Sequence, residues 1–305
     1  MHKVQVPKDR TERLDRLLAE SIAGLSRRRA QELLAAGLIR IDGRRARKGE
    51  MIGGERTLEV EVAVTPPVEI AAESEPGLTV LYEDASCVAV DKPAGRPSHA
   101  LRDGERGTVA NFLAGRFPEC ASAGATPLEA GLVHRLDTAT SGVLLAARSR
   151  EAWLDLRRQF REGTVGKLYA AVVHGSILEA GEIRRPIEPH PRNRRKVRVL
   201  QIGEHSARAR PAVTRYTPRM RAAGVTLLDV EISTGVMHQI RAHLAAIGHP
   251  VVGDRIYGND PRPSDRHLLH AQRLSYDQPA TGERIVVESP LAEDFSAALQ
   301  RLGLS

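Results

Sequence analysis

Apolar positions along this chain follow two rhythms in succession. Arg13-Leu-Asp-Arg-Leu-Leu18 has helical spacing and predicts a short amphipathic helix. Ala30, Leu33 and Leu34 line one face of a second helix, with Ser26 as its N-cap and Gly37 closing it. Leu38-Ile-Arg-Ile-Asp-Gly43 then predicts a strand and a tight turn. Periodicity is lost from Thr65-Pro-Pro67 through Pro76. That break suggests a module over 1–65, a linker over 66–77 and a larger domain over 78–305. In the larger part, short alternating runs take over. Thr79–Tyr82 and Cys87–Val90 predict paired strands around a turn, and 168–173 and 226–232 predict two more. Thr108 caps a helix running through Phe112. Ala152, Leu156 and Phe160 share one helical face, opposite Arg157, Arg158 and Arg161. A helix over 238–247 ends at Gly248 and Pro250. Strands and helices mix without a regular βαβ order, and no internal repeat is present. The pattern predicts an α+β fold: a large mixed, mainly antiparallel sheet with a central cleft, plus a small N-terminal α/β module.

Charge narrows the choice of partner. The 45 Lys and Arg exceed the 38 Asp and Glu, a net +7 that favours polyanions. Arg27, Arg28 and Arg29 open a predicted helix, where the helix dipole disfavours cations. Phosphate binding and a solvated face explain that misfit equally well. Arg184, Arg185, Arg192, Arg194, Arg195, Lys196 and Arg198 crowd a stretch with Glu188 as its lone acid. Pro and Asn break the stretch into a loop or hairpin arm, and its guanidinium groups suit bidentate contacts with phosphate. No apolar run approaches the ~18 residues of a membrane span. The N-terminus lacks the apolar core of a signal peptide. A cytoplasmic monomer is expected, with Cys87 and Cys120 buried and reduced.

Three stretches carry candidate chemistry. Gly131-Leu-Val-His-Arg-Leu-Asp-Thr-Ala-Thr-Ser-Gly142 frames one acid, Asp137, with His134, Arg135 and hydroxyl side chains, just before an apolar run. Spacing alone fits a reactive carboxylate and a turn acid capping N–H groups equally. Lys167-Leu-Tyr169 on a strand is expected to turn a cation and an aromatic ring to one face. In Ser233-Thr-Gly-Val-Met-His-Gln-Ile-Arg-Ala-His-Leu244, a glycine loop opens a helix that carries His238 and Arg241 on one face. His238 and His243 are five apart and have no accompanying Glu, which argues against a zinc site.

The wording of these stretches resembles the RluA-type pseudouridine synthases. The match runs through His134-Arg-Leu-Asp137, Lys167-Leu-Tyr169, His238-Gln-Ile-Arg241, Gly248-His-Pro250 and Gly253-Asp-Arg-Ile-Tyr-Gly258. Asp91-Lys-Pro-Ala-Gly95, Leu269-His-Ala-Gln-Arg-Leu274 and Ser289-Pro-Leu291 add to it. Residues 13 to 60 resemble the αL-type RNA-binding module of a ribosomal protein. The resemblance implies an enzyme that turns uridine into pseudouridine in RNA, most simply ribosomal RNA, with no metal and no nucleotide cofactor. It implies that Asp137 acts on the nucleotide, Tyr169 stacks on the base and Arg241 pairs with the acid. Arg135 would fill the space left by a flipped base, and His134, Lys167 and His238 would contact RNA. Arg27, Arg28, Arg194, Arg195 and Lys196 would hold its backbone. The chain departs from the family at Val236, where an Arg is usual. Val236 and the basic surface leave a second reading, a non-catalytic RNA-binding or ribosome-assembly protein on the same fold. A glycoside hydrolase, which also works at an anomeric carbon, is a third. It needs a second flanking carboxylate.

Overall fold

The computed structural model describes residues 2–6, 11–22, 25, 27–60, 69–74, 77–258 and 264–304, and its contacts divide the chain into two units, Met1–Glu69 and Ile70–Ser305. In the first, helices Leu14–Ser21 and Arg27–Ala36 contribute Leu14, Leu17, Leu18, Ala30, Leu33 and Leu34 to one apolar cluster. Ile39, Ile41, Leu58 and Val60 join it from the strands. Asp42 and Gly43 both adopt positive φ (46° and 82°), the left-handed pair that closes a two-residue hairpin in step with strand twist. Ser26 and the side chain of Arg28 lie outside the described residues. Arg27, expected to reach RNA, donates instead to the buried carboxylate of Asp15 at 3.1 Å. Hydrogen bonds from Arg13, Gln31 and Arg27 outweigh burial and hold that carboxyl far below its usual range. Arg29 donates to Glu32 at 3.1 Å. Arg27 and Arg29 are therefore each offset by a nearby acid.

The second unit is built on a nine-stranded sheet. Its order is Gly181–Arg184, Val213–Ala222, Val225–Ile232, Gly166–His174, Leu269–Asp277, Ser141–Ala147, Cys87–Lys92 and Val80–Glu83, with Arg284–Glu288 also paired to Leu269–Asp277. Among the described pairings only Leu269–Asp277 with Ser141–Ala147 is parallel. The helix Arg150–Glu162 starts at Ser149, whose Oγ accepts from Ala152 N, and stops at Gly163. Its Ala152, Leu156 and Phe160 pack with Leu145, Leu274 and Tyr276, as their spacing predicts. Thr108 and Asn111 form a reciprocal cap for helix Val109–Arg116. Asn111 Nδ2 also donates to Ala71 O, and Gly107 N to Glu73, so part of the stretch read as a linker is tied to this helix. Cys87 and Cys120 are buried free thiols.

Candidate active site

Two glycines bracket the loop that carries Asp137, and both need their missing side chain. Gly131 and Gly142 have φ of 72° and 111°, and a Cβ would run into the carbonyl oxygens of Ala147 and Ala271 respectively. Between them, every residue from Leu136 to Ser141 is tied. Ser98 Oγ donates to Leu136 O and accepts from Leu136 N. Thr140 N donates to Asp137 O at 3.0 Å. Thr138 O accepts from Gly95 N and from the buried Lys92 ammonium, which also donates to the carbonyls of Pro93 and Arg96. Arg266 donates to Ala139 O. The hydroxyls of Thr140 and Ser141 pair with His267 Nε2 (2.7 Å) and His270 Nδ1 (2.9 Å). Fixing the backbone this fully presets the carboxylate, so little ordering is left for the reaction itself.

Of the Asp137 side chain, 23% remains exposed. Its Oδ2 accepts from Arg241 Nη1 at 2.7 Å, while Oδ1 faces His238 Nε2 at 3.7 Å, beyond hydrogen-bond length. Arg241 is nearly sealed and holds a second acid, Asp254, through Nε and Nη2 at 2.7 and 2.8 Å. Burial opposes charge on Asp254, but Arg241 and the N–H groups of Ile256 and Tyr257 overcome it and keep the carboxyl below its usual range. Sequence reasoning gives Asp254 no role of its own, although Gly253-Asp254 stands in one of the matching motifs. What links it to Arg241 is spatial and has no sequence signal. It does not supply the second carboxylate of a glycoside hydrolase, because both its oxygens are engaged and it is 1% exposed.

The Lys-x-Tyr strand keeps its alternation, but its cation is turned to the protein interior. A register shift between Leu168 and Tyr169 skips Gln272 on the neighbouring strand, while the pairing with Val225–Ile232 runs on unbroken. Lys167 and Tyr169 therefore keep one buried side of their strand, with Leu168 half-buried between them. Tyr169 sits opposite Val230 and Ala271 and packs in the cluster that holds Leu136. Burial, then the charge of Asp137, pushes its phenol above the ordinary range, so it keeps its proton. Lys167 is buried, donates to Thr234 O at 3.0 Å and lies 5.6 Å from the Phe160 ring, in a different cluster. His134 stacks on the same ring and accepts from Leu145 N at 3.0 Å. Burial pushes its pKa down to about 3, which suits an acceptor nitrogen. The expectation that Lys167 and His134 contact RNA therefore gives way to supporting roles beneath the loop. Arg135 alone of the motif is exposed, 3.4 Å from His99 Nε2.

The basic run forms an arm on the short strands Ile187–Pro189 and Val197–Val199. Its charges divide by position. Arg198 is paired with Glu188 and Glu204, Arg184 with Glu182, and Arg185 binds Leu200 O. Arg192, Arg194 and Arg195 are exposed, and no ion pair involves them among the described residues. Lys196 lies 5.8 Å from the ring of Tyr257. Val236 packs with Tyr257 and Val199 against Ile187, Val197, Ala212 and Ala242, so it closes the base of the arm with apolar contact. A separate cavity of about 320 Å³ is lined by Lys167, Arg215, Glu231, Arg273 and Arg284, away from Asp137. Its arginines face acids in cross-strand register, Glu182–Arg215–Glu231 and Arg273–Glu288, so the row largely neutralises itself. Among the described residues no group of three or more His, Cys, Asp or Glu could hold a metal.

His267 makes the site sensitive to acid. Burial, then the charge of Arg241, pushes its pKa from 6.5 down to about 3. Unfolding restores the higher value, so its contribution to stability is complete above about pH 6.5 and is lost as pH falls towards 3. Unfolding free energy should drop across that window by up to about 1.4 kcal/mol per pH unit from this group. His267→Gln should lessen the slope by about one proton in urea titrations at stepped pH. An unaltered slope would remove His267 as the source.

Comparison with known proteins agrees with this geometry. Residues 86–246 match the family model described as RNA pseudouridylate synthase, and residues 12–56 match the S4 domain. A ribosomal large subunit pseudouridine synthase D from Xanthomonas campestris is 37% identical over 95% of this chain and 88% of its own length. One of the same name from Nitrosomonas europaea is 34% identical over 95% and 84%. Among solved structures, human RNA pseudouridylate synthase domain containing 4 superposes with a TM-score of 0.58 at 25% identity, covering 74% of this chain and 93% of the human one.

Proposed function

Because this chain belongs to the RNA pseudouridylate synthase family, we propose that it isomerises a uridine in folded large-subunit ribosomal RNA, with Asp137 acting on the nucleotide. The observation that carries the reading is the division of labour at Arg241. One guanidinium anchors to Asp254 through two nitrogens and presents its third to Asp137, whose other oxygen accepts no hydrogen bond among the described residues. In the isomerisation the bond from uracil nitrogen to the ribose breaks, the ring turns, and its carbon 5 bonds to the same sugar carbon. The proton leaves carbon 5 and the nitrogen gains one. Atoms and electrons balance without redox or phosphate chemistry, so neither a nucleotide cofactor nor a metal enters the reading.

A uridine inside a stack must first flip out to reach Asp137. Arg135, exposed two residues away, then occupies the gap, and Tyr169 stacks on the uracil at about 1–3 kcal/mol. The names of the relatives support a ribosomal target, and the S4 match supports RNA binding by the first unit. No described helix is long and apolar enough to cross a membrane. The reading includes a cytoplasmic monomer. Mapping pseudouridines in ribosomal RNA from cells with and without the gene tests the target. One or more large-subunit sites should vanish on deletion, and an unchanged map would refute the assignment.

The arm is assigned to the phosphate backbone. Replacing Arg192, Arg194 and Arg195 with Gln should weaken RNA binding and flatten the dependence of log affinity on log salt. Every phosphate that an arginine no longer neutralises should take about 0.7–0.9 of a unit off the slope. Titrations from low to moderate salt check this, and an unchanged slope would leave those arginines as solvated surface.

A further inference from the structure

The hydroxyl of Tyr257 stands where the arm meets the reacting carboxylate. It accepts from Val197 N at 2.8 Å, at the start of the arm's second strand, and lies 3.1 Å from His238 Nδ1. The tyrosine ring has Lys196 on it at 5.8 Å and Arg241 at 5.4 Å, and meets the His238 ring edge-on at 5.7 Å. His238 occupies the residue before helix Gln239–Ala246 with φ at 55°, a left-handed backbone that a histidine holds only when its surroundings enforce it.

We propose that Tyr257 is a positioning residue that couples the arm to Asp137: its hydroxyl donates a hydrogen bond to His238 Nδ1 and thereby leaves the Nε2–H of His238 facing Asp137 Oδ1. The inference rests on the arm's assignment to RNA. A phenol oxygen has one proton to give and two lone pairs. The Val197 N–H takes one lone pair, and the proton is free to point at Nδ1. A neutral imidazole that accepts at Nδ1 must carry its proton on Nε2. The opposite tautomer would turn a lone pair on the carboxylate, which is repulsive. Burial raises the tyrosine's pKa, so it keeps the proton it donates, and burial lowers that of His238, so the ring stays neutral. RNA that settles on the arm moves Lys196 and Val197. Through the tyrosine it then sets the angle at which His238 meets the carboxylate.

Histidine-selective ¹⁵N NMR of the full chain, with His238→Gln used to assign the signal, reads the tautomer directly. The wild type should carry the proton on Nε2. A proton on Nδ1 overturns the proposal without any further variant. Tyr257→Phe removes only an oxygen, so it should lose the fixed tautomer. It should also slow single turnover at saturating RNA by about ten- to a hundredfold, the scale of a misaligned reacting group. A rate within twofold of wild type rejects the link. Lys196→Ala should slow the wild type but add little in the Tyr257→Phe background. An equal factor in both backgrounds makes the two residues independent and overturns the coupling. If Lys196→Ala leaves both RNA affinity and rate unchanged, the arm's assignment fails. The wild-type tautomer then still decides the tyrosine–histidine contact.

Discussion

Asp137→Asn is expected to abolish product formation while RNA affinity stays within a few-fold of wild type. The amide keeps the size of the side chain and an oxygen for Arg241 to bind, but it is neither a nucleophile nor a base. The loss should be at least about 10⁴-fold in single-turnover rate, the upper range for one proton-transferring group. The loop is held through its backbone and through Ser98, Lys92, Arg266 and His267, so the fold should tolerate the change. Unimpaired turnover at saturating RNA would remove Asp137 from the chemistry. Lost RNA binding would instead show that the substitution disturbs the RNA-bound state.

Arg241→Ala should be nearly as damaging and, unlike the first variant, should also destabilise the protein. It strands the buried Asp254 without a cation, a change that typically costs about 3–5 kcal/mol. It also leaves Asp137 with no donor on Oδ2. Arg241→Lys should rescue little, because one ammonium does not span two carboxylates in the geometry of the guanidinium fork. The double variant Arg241→Met with Asp254→Leu separates the two effects. Replacing the buried pair with apolar side chains should recover most of the stability, yet not the rate. Urea denaturation paired with single-turnover assays distinguishes these outcomes. A double variant that regains turnover would mean that Arg241 serves only the fold.

Much of this site was legible along the chain because its parts are local. The segment from Gly131 to Gly142 has to turn sharply, hold its hydroxyls and feed a buried strand, and each demand appears as a residue type within a dozen positions. His238 and Arg241 are three apart at the start of one helix, so their approach to Asp137 is a local feature, although the left-handed backbone of His238 is not helical. Other features had no local trace. The skipped Gln272 beside Leu168 depends on how two neighbouring strands pair, and the burial of Lys167 against Thr234 O depends on what packs over the sheet. Whether Arg27 meets RNA or Asp15 depends on how two helices pack, which charge counting does not reveal.

The sequence by itself determined most element types and the family, and it singled out Asp137 as the candidate acid, because short-range periodicity and motif wording carry that information. Tertiary structure alone decided which charges are spent internally and which remain available. Asp137 and Arg241 are separated by 104 residues, and Tyr257 and Val197 by 60. Such pairs form only once the sheet closes, because a buried charge finds its partner by proximity in space and not along the chain. The same burial that joins Asp254 to Arg241 leaves Arg192, Arg194 and Arg195 outside, where water still solvates them and a phosphate can replace it.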